Sequence, residues 1–316
     1  MRKLLSLAAL VLAFAIIAPQ LVQARAQNGP RISGPKFQYK LKNVFPVDGR
    51  QGVACDGTYI YVSGSKALFK YDMNGKLVLK NENPFDGYPI PANHIGDIDY
   101  YQGELYLGVE TFIDGVGKDI QVTVHDAQTL KLKRAFSFQP ESGQLEVAGI
   151  TVDPVKKTVW MCSWVGGESG NYLYEYDLKG QYLRKVHLQP VPQYVQGVYW
   201  VDGDLFVTAD DGIADDNEPD HIYRVEVTSA TNASVVLEKT LDEAIKQGEI
   251  EGLCIDPSTG DLLVLMNRGA RIVLGMPKGF YPGYKNEISE VYRYAMAPRA
   301  MNRQAAPQKA PSMKSN

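Results

Sequence analysis

Apolar and polar residues alternate along most of this chain with the period of two that marks half-buried β-strands, and helical periodicity is nearly absent. One pattern recurs five times: a glycine, a short apolar strand, a tight turn, a second apolar strand and a polar or aromatic end. The copies are Gly52–Ser63, Gly96–Glu110, Gly149–Trp164, Gly197–Asp210 and Gly252–Asn267. The turns inside them, such as Asp56-Gly57 and Asp202-Gly203, carry hairpin chemistry. Each copy is followed by a third strand with aromatic alternation: Leu68–Asp72, Ile120–Asp126, Tyr172–Asp177, Ile222–Val227 and Glu290–Ala295. Fourth strands fit Lys76–Asn81, Lys131–Phe136, Gln181–Val186 and Ser234–Lys239. Only Leu241–Gln247 reads as a turn or two of helix.

The last copy has no fourth strand, because the chain from Ala297 onward is rich in proline and basic residues and contains no acid. Phe37–Val44, ahead of the first copy, has strand pattern and is expected to fill that place, which would remove the sheet edges at both ends of the repeat array. Spacings of 44, 53, 48 and 55 residues between the glycines suit four-stranded repeat units. The expected fold is therefore all-β, a five-bladed β-propeller over residues 36–296 closed by an N-terminal strand. The alternative is a sixth, degenerate blade within the long segment from Arg268 to Glu290.

The two ends read differently from the repeats. Arg2 and Lys3 precede an apolar run from Leu4 to Ala18 that only Ser6 interrupts, then Pro19 and the small-x-small sequence Ala24-Arg25-Ala26. That is the layout of a cleaved export signal over residues 1–26, which implies a secreted or periplasmic protein with no integral membrane segment after cleavage. An uncleaved anchor continuing through Leu21 and Val22 is the alternative. Residues 297–316 are expected to be a disordered basic tail.

Composition narrows the function classes. A formal net charge of -3 leaves no basic footprint for nucleic acid. Three cysteines are too few for a disulfide scaffold, and buried thiols are favoured over one bridge plus a leftover thiol. Gly-x-Ser-x-Gly, His-Glu-x-x-His and Cys-x-x-Cys motifs are all missing.

The loops supply the positive signal. Turns between first and second strands are tight, whereas those between second and third strands are long: Glu110–Asp119, Val165–Asn171, Asp210–His221 and Arg268–Glu290. Long loops gathered on one face are expected to carry function. Residues entering the first strands and leaving the second strands should ring the channel there. The entry ring offers Gln51, His94 with Asp97, Glu146, Gln196 and Glu251; the exit ring offers Ser63, Glu110, Trp164, Asp210 with Asp211, and Asn267 with Arg268.

Gln51, Trp164 and Gln196 are candidate ligand-binding residues. Glu110, Asp210, Glu251 and Asn267 form a hard-oxygen set whose chemistry suits Ca²⁺ rather than Zn²⁺. Around such a metal, His94, Glu146 or Asp211 would activate water and Arg268 would steady developing negative charge. Structural capping of channel backbone is the alternative role for the entry ring. Met276–Asn286, with Phe280, Tyr281 and Tyr284, is either an aromatic lid over the channel or a packed insertion.

Gln51-Gly52, Gln196-Gly197 and Glu251-Gly252-Leu253, each opening a strand before turn chemistry, resemble inner-strand openings of secreted propellers. The likeness is to the plant-type glutaminyl cyclotransferases, with five blades, and to the gluconolactonase/SMP-30 and NHL-type propellers, with six. Resemblance to the gluconolactonase group implies a divalent metal in the channel on Glu, Asn and Asp side chains, for which Glu251, Asn267 and Asp210 are the matching types. Two functions follow as expectations: binding of a small molecule, glycan or protein partner at the loop-rich face, and metal-dependent hydrolysis of a lactone or ester.

Overall fold

A computed structural model describes residues 34–114, 116–164, 167–244, 247–273 and 276–299. The expected export signal and almost all of the expected tail lie outside the described residues. Among these described residues twenty-two strands run in chain order. The first, β1, is Phe37–Val47. Four antiparallel strands follow as a meander: β2 Gly52–Cys55, β3 Tyr59–Gly64, β4 Ala67–Asp72 and β5 Leu77–Asn81. A second meander comprises β6 His94–Tyr101, β7 Glu104–Ile113, β8 Val116–Asp126 and β9 Leu132–Ser137.

The next eight strands make one continuous sheet of two meanders. They are β10 Ile150–Asp153, β11 Thr158–Cys162, β12 Tyr172–Asp177 and β13 Tyr182–Gln189, then β14 Val195–Val201, β15 Asp204–Ala209, β16 His221–Val227 and β17 Asn232–Thr240. Their outermost strands meet in parallel register, His187 opposite Asn232. The last group is β18 Gly248–Ile255, β19 Leu262–Arg268, the short hairpin of β20 Ala270–Val273 and β21 Met276–Phe280, and β22 Ile288–Pro298.

β1 pairs antiparallel with β22, from Phe37 opposite Pro298 to Val47 opposite Ser289, so the N-terminal strand takes the place the repeat pattern left empty. A buried carboxylate fixes its start. Glu238 on β17 accepts the backbone N–H groups of Lys36 and Phe37, each at 2.9 Å, and the Tyr39 hydroxyl at 2.9 Å.

Innermost strands pack neighbour against neighbour, β2 on β6, β6 on β10, β10 on β14 and β14 on β18, and β18 returns to β2. The arrangement is propeller-like. Its core lies between neighbouring meanders. Leu68 and Tyr61 of the first meander pack with Ile98 and Leu107 of the second, and Val53 and Val62 pack with Leu263 and Val291 of the last group. All three cysteines are buried and free, as the bland expectation had it.

The repeat's glycines owe their identity to this packing. A Cβ on Gly252 would lie 2.7 Å from the Gly52 Cα, and one on Gly197 would lie 2.8 Å from the Gly252 Cα, closer than real Cβ contacts come. One on Gly149 would lie 2.6 Å from the Cys162 sulfur. The inner strands thus converge until only glycine fits. Three of them, β6, β14 and β18, carry register breaks beside that glycine. The carboxyl of Asp97, fully buried, fills the space against Gly52 and Gly252 and accepts the Ile98 N–H at 2.8 Å.

Two loop expectations change. Glu110–Asp119 is largely strand: β7 and β8 continue as a paired hairpin out to Ile113 opposite Val116. Among the described residues the segment from Arg268 to Glu290 contains two paired strands, β20 and β21, and no four-stranded unit. Leu241–Ala244 is a turn closed by the Ala244 N–H on the Leu241 carbonyl at 3.1 Å.

Candidate functional site

A cavity of about 550 Å³ opens at the ends of the inner strands, within the size range of ligand pockets. Gln51, His94, Glu146, Trp164, Gln196 and Glu251, all from the expected rings, line it. Arg50, Glu249, Glu287 and Phe112 line it too, without having been expected from the sequence. Ile272, Pro277 and Phe280 of the β20–β21 hairpin complete one wall, so this insertion borders the cavity.

On one side stands an arginine among carboxylates. Arg50, just ahead of β2, donates from Nη2 to Glu249 at 2.7 Å and from Nε to Glu287 at 2.9 Å. Its Nη2 also lies 3.7 Å from Glu251. Asn267 at the end of β19 donates one amide hydrogen bond to Glu251 at 2.7 Å and another to the Arg50 carbonyl at 2.9 Å. Its own carboxamide oxygen accepts the Ser289 hydroxyl at 2.7 Å. Burial raises the carboxyls of Glu249 and Glu251, with Glu249 itself a further cause for Glu251, while Arg50 pulls against both shifts. Glu249 was within reach of sequence reasoning, since it stands two residues before Glu251 on one strand. Arg50 was not, because only folding brings it opposite the last meander.

On the other side the lining is imidazole and aromatic. β6 and β7 pair His94 opposite Glu110, and His94 Nδ1 lies 3.3 Å from the Glu110 carboxyl. Burial holds His94 down at about 4, helped by the positive charges of Arg50 and Lys66, so it is neutral at pH 7. Burial also pushes the Glu110 carboxyl up to about 8. Glu110 is wholly buried, and its Oε2 has no hydrogen-bond partner. His94 rests against Phe112, ring centres 5.2 Å apart. Beyond them Glu146 accepts the Trp164 backbone N–H at 2.6 Å, and the Trp164 ring lies 5.5 Å from that of Tyr194.

The remaining expected residues sit outside this lining. Asp211 accepts His221 Nδ1 at 2.8 Å and the Tyr223 hydroxyl at 2.6 Å. Arg268 forms a two-pronged pair with Glu290 at 2.9 and 3.0 Å. Asp210 belongs to an acidic group with Asp220, Glu249 and Asp211, where burial first and those charges second raise its carboxyl. Ser63 donates to the Gly96 carbonyl at 2.7 Å, a structural bond.

The expected hard-oxygen set is divided among different partners. Glu110 faces His94, Glu251 faces Asn267 and Arg50, and Asn267 has its oxygen engaged by Ser289. Among the described residues no group of three or more His, Cys, Asp or Glu side chains is arranged to hold a metal ion. No helix among them is long and apolar enough to cross a membrane.

No family model matches the chain, and no curated protein matches its sequence. Among solved structures, a protein of unknown function from Bacteroides caccae is similar at 13% identity and a TM-score of 0.43, over 68% of this chain and 69% of that one. The WD40 domain of Neurospora crassa Pan2 is similar at 11% identity and a TM-score of 0.37, over 79% of this chain and 63% of that one.

Proposed function

We propose that this chain is an exported five-bladed β-propeller, one closed unit over residues 36–296, that binds a small ligand in the cavity at its loop-rich face. Support for the blade count comes from the repeat of four-stranded meanders, from β1 completing the last of them, and from β18 packing on β2. Support for export comes from the residues of the leader, Arg2 to Ala26.

The observation that carries the binding function is the cavity itself. Residues far apart in sequence, from Arg50 to Glu287, converge on an open cavity that mixes aromatic walls with a few oriented polar groups. Scaffold rigidity supports it as well: Gln51, Gln196 and Glu251 stand at the narrow axis where glycine packing leaves the backbone no room to shift. Trp164 gives the test. Titration of a metabolite panel followed by tryptophan fluorescence should find saturable quenching that Trp164→Phe removes. A panel of charged, neutral, sugar-like and aromatic compounds that yields no saturable change, with calorimetry agreeing, contradicts the proposal.

A further inference from the structure

We infer that the ligand of this cavity is an organic cation, an ammonium or guanidinium group on an apolar stem; this rests on the cavity's being a ligand site. The lining holds four carboxylates, Glu146, Glu249, Glu251 and Glu287, against the single cation Arg50. Arg50 is not free to meet an anion: Glu249 takes one Nη2 hydrogen bond at 2.7 Å, and Glu287 takes bonds from Nε at 2.9 Å and Nη2 at 3.2 Å. His94 supplies no second positive charge, because burial and the nearby charges of Arg50 and Lys66 keep its imidazole neutral at pH 7. An anionic ligand would therefore enter a region of excess negative charge with no uncommitted cation among the described lining residues.

The walls suit a cation for a second reason. Trp164, Phe112 and Phe280 line the same volume, and aromatic faces attract ammonium and guanidinium groups through their quadrupoles, more strongly where water is excluded. Ile272 and Pro277 beside Phe280 offer apolar contact for the stem. A neutral sugar would use the carboxylates and the amides of Gln51 and Gln196, but it would leave the charge excess unanswered. Burial disfavours the ionised forms of the Glu249 and Glu251 carboxyls in the free protein. A bound cation would favour those ionised forms again.

The probes are benzylammonium, its neutral isostere benzyl alcohol, and benzoate, titrated at pH 7.5 by calorimetry and tryptophan fluorescence. Benzylammonium is expected to bind saturably and at least about tenfold more tightly than the alcohol, a difference of about 1.4 kcal/mol. Benzoate is expected not to saturate. Glu251→Gln should weaken benzylammonium at least about fivefold. Because Glu251 is buried, the less buried Glu287→Gln serves as a second variant with the same expected direction, and the melting temperatures of both are compared with the parent. Benzoate or benzyl alcohol binding as tightly as benzylammonium overturns the cation inference while leaving the cavity a ligand site. Undiminished benzylammonium binding in a folded Glu287→Gln or Glu251→Gln variant also overturns it. Saturable binding by none of the three overturns the inference, and the cavity reading falls as well if the wider panel is equally silent.

Discussion

The Glu238 carboxylate accepts the backbone N–H of Phe37 at 2.9 Å, so a side chain on one outer strand holds the first residue of the strand that completes another sheet. The same carboxylate takes the Lys36 N–H and the Tyr39 hydroxyl and lies 3.3 Å from Arg224 Nε. Glu238→Ala would strand two backbone donors and a hydroxyl. It should cost about 3 kcal/mol or more. Urea denaturation is the measurement, and deletion of Phe37–Val44 should lower the midpoint further and in a single cooperative step.

Glycine at the axis makes a sharper claim. Gly252→Ala places a Cβ 2.7 Å from the Gly52 Cα and 2.9 Å from the Asp97 carboxyl carbon, neither of which can retreat without moving an inner strand. A loss of about 3 kcal/mol or more is expected. Gly34→Ala, where a Cβ meets nothing within 4 Å, should stay within about 0.5 kcal/mol.

Stability should fall as pH rises from about 4 toward 8. Burial lifts the carboxyls of Asp99 to about 6, Asp220 to about 7 and Glu110 to about 8. The native state thus keeps protons that the unfolded chain releases near its ordinary carboxylate values. Their stabilisation is full below about pH 4 and is lost as pH rises through 6 to 8. His94 has the opposite sign: held down at about 4, it stabilises above its ordinary value and loses that contribution as pH falls. The urea midpoint should be highest near about pH 4, because the three carboxyls outweigh the one histidine, and decline toward pH 8, with Glu110→Gln flattening that decline.

Phe280 separates binding from folding. It is 52% exposed on the β20–β21 hairpin yet lines the cavity. Phe280→Ser should change stability by less than about 0.5 kcal/mol. Loss of an aromatic wall should still weaken the cavity's ligand several-fold, as read by calorimetry.

The thiols give a chemical check on packing. Cys55, Cys162 and Cys254 are buried and free, and burial pushes Cys55 up to about 12. A thiol-specific reagent should label none of them in the native protein and all three in urea. One thiol in urea would mean that the other two are bridged.

Much of this protein was legible in its sequence because strand chemistry is local. Period-two alternation, Asp-Gly turns and glycine spacing depend on neighbours in the chain, and they located the strands, the meanders and the completing role of Phe37–Val44. The ring positions of Gln51, Gln196 and Glu251, which line the cavity, were legible for the same reason, since each sits at a fixed place in a repeat. Two things were decided only by tertiary structure. The grouping of charges was one: Glu110 and Glu251 occupy equivalent-looking ring positions, yet one faces His94 and the other faces Asn267 and Arg50. No local signal tells a carboxylate which partner arrives from another sheet. The other was the reason for glycine itself. The pattern marked it as the start of a strand, whereas the packed inner strands make it the point where two backbones approach too closely for any side chain, a property of the assembled axis alone.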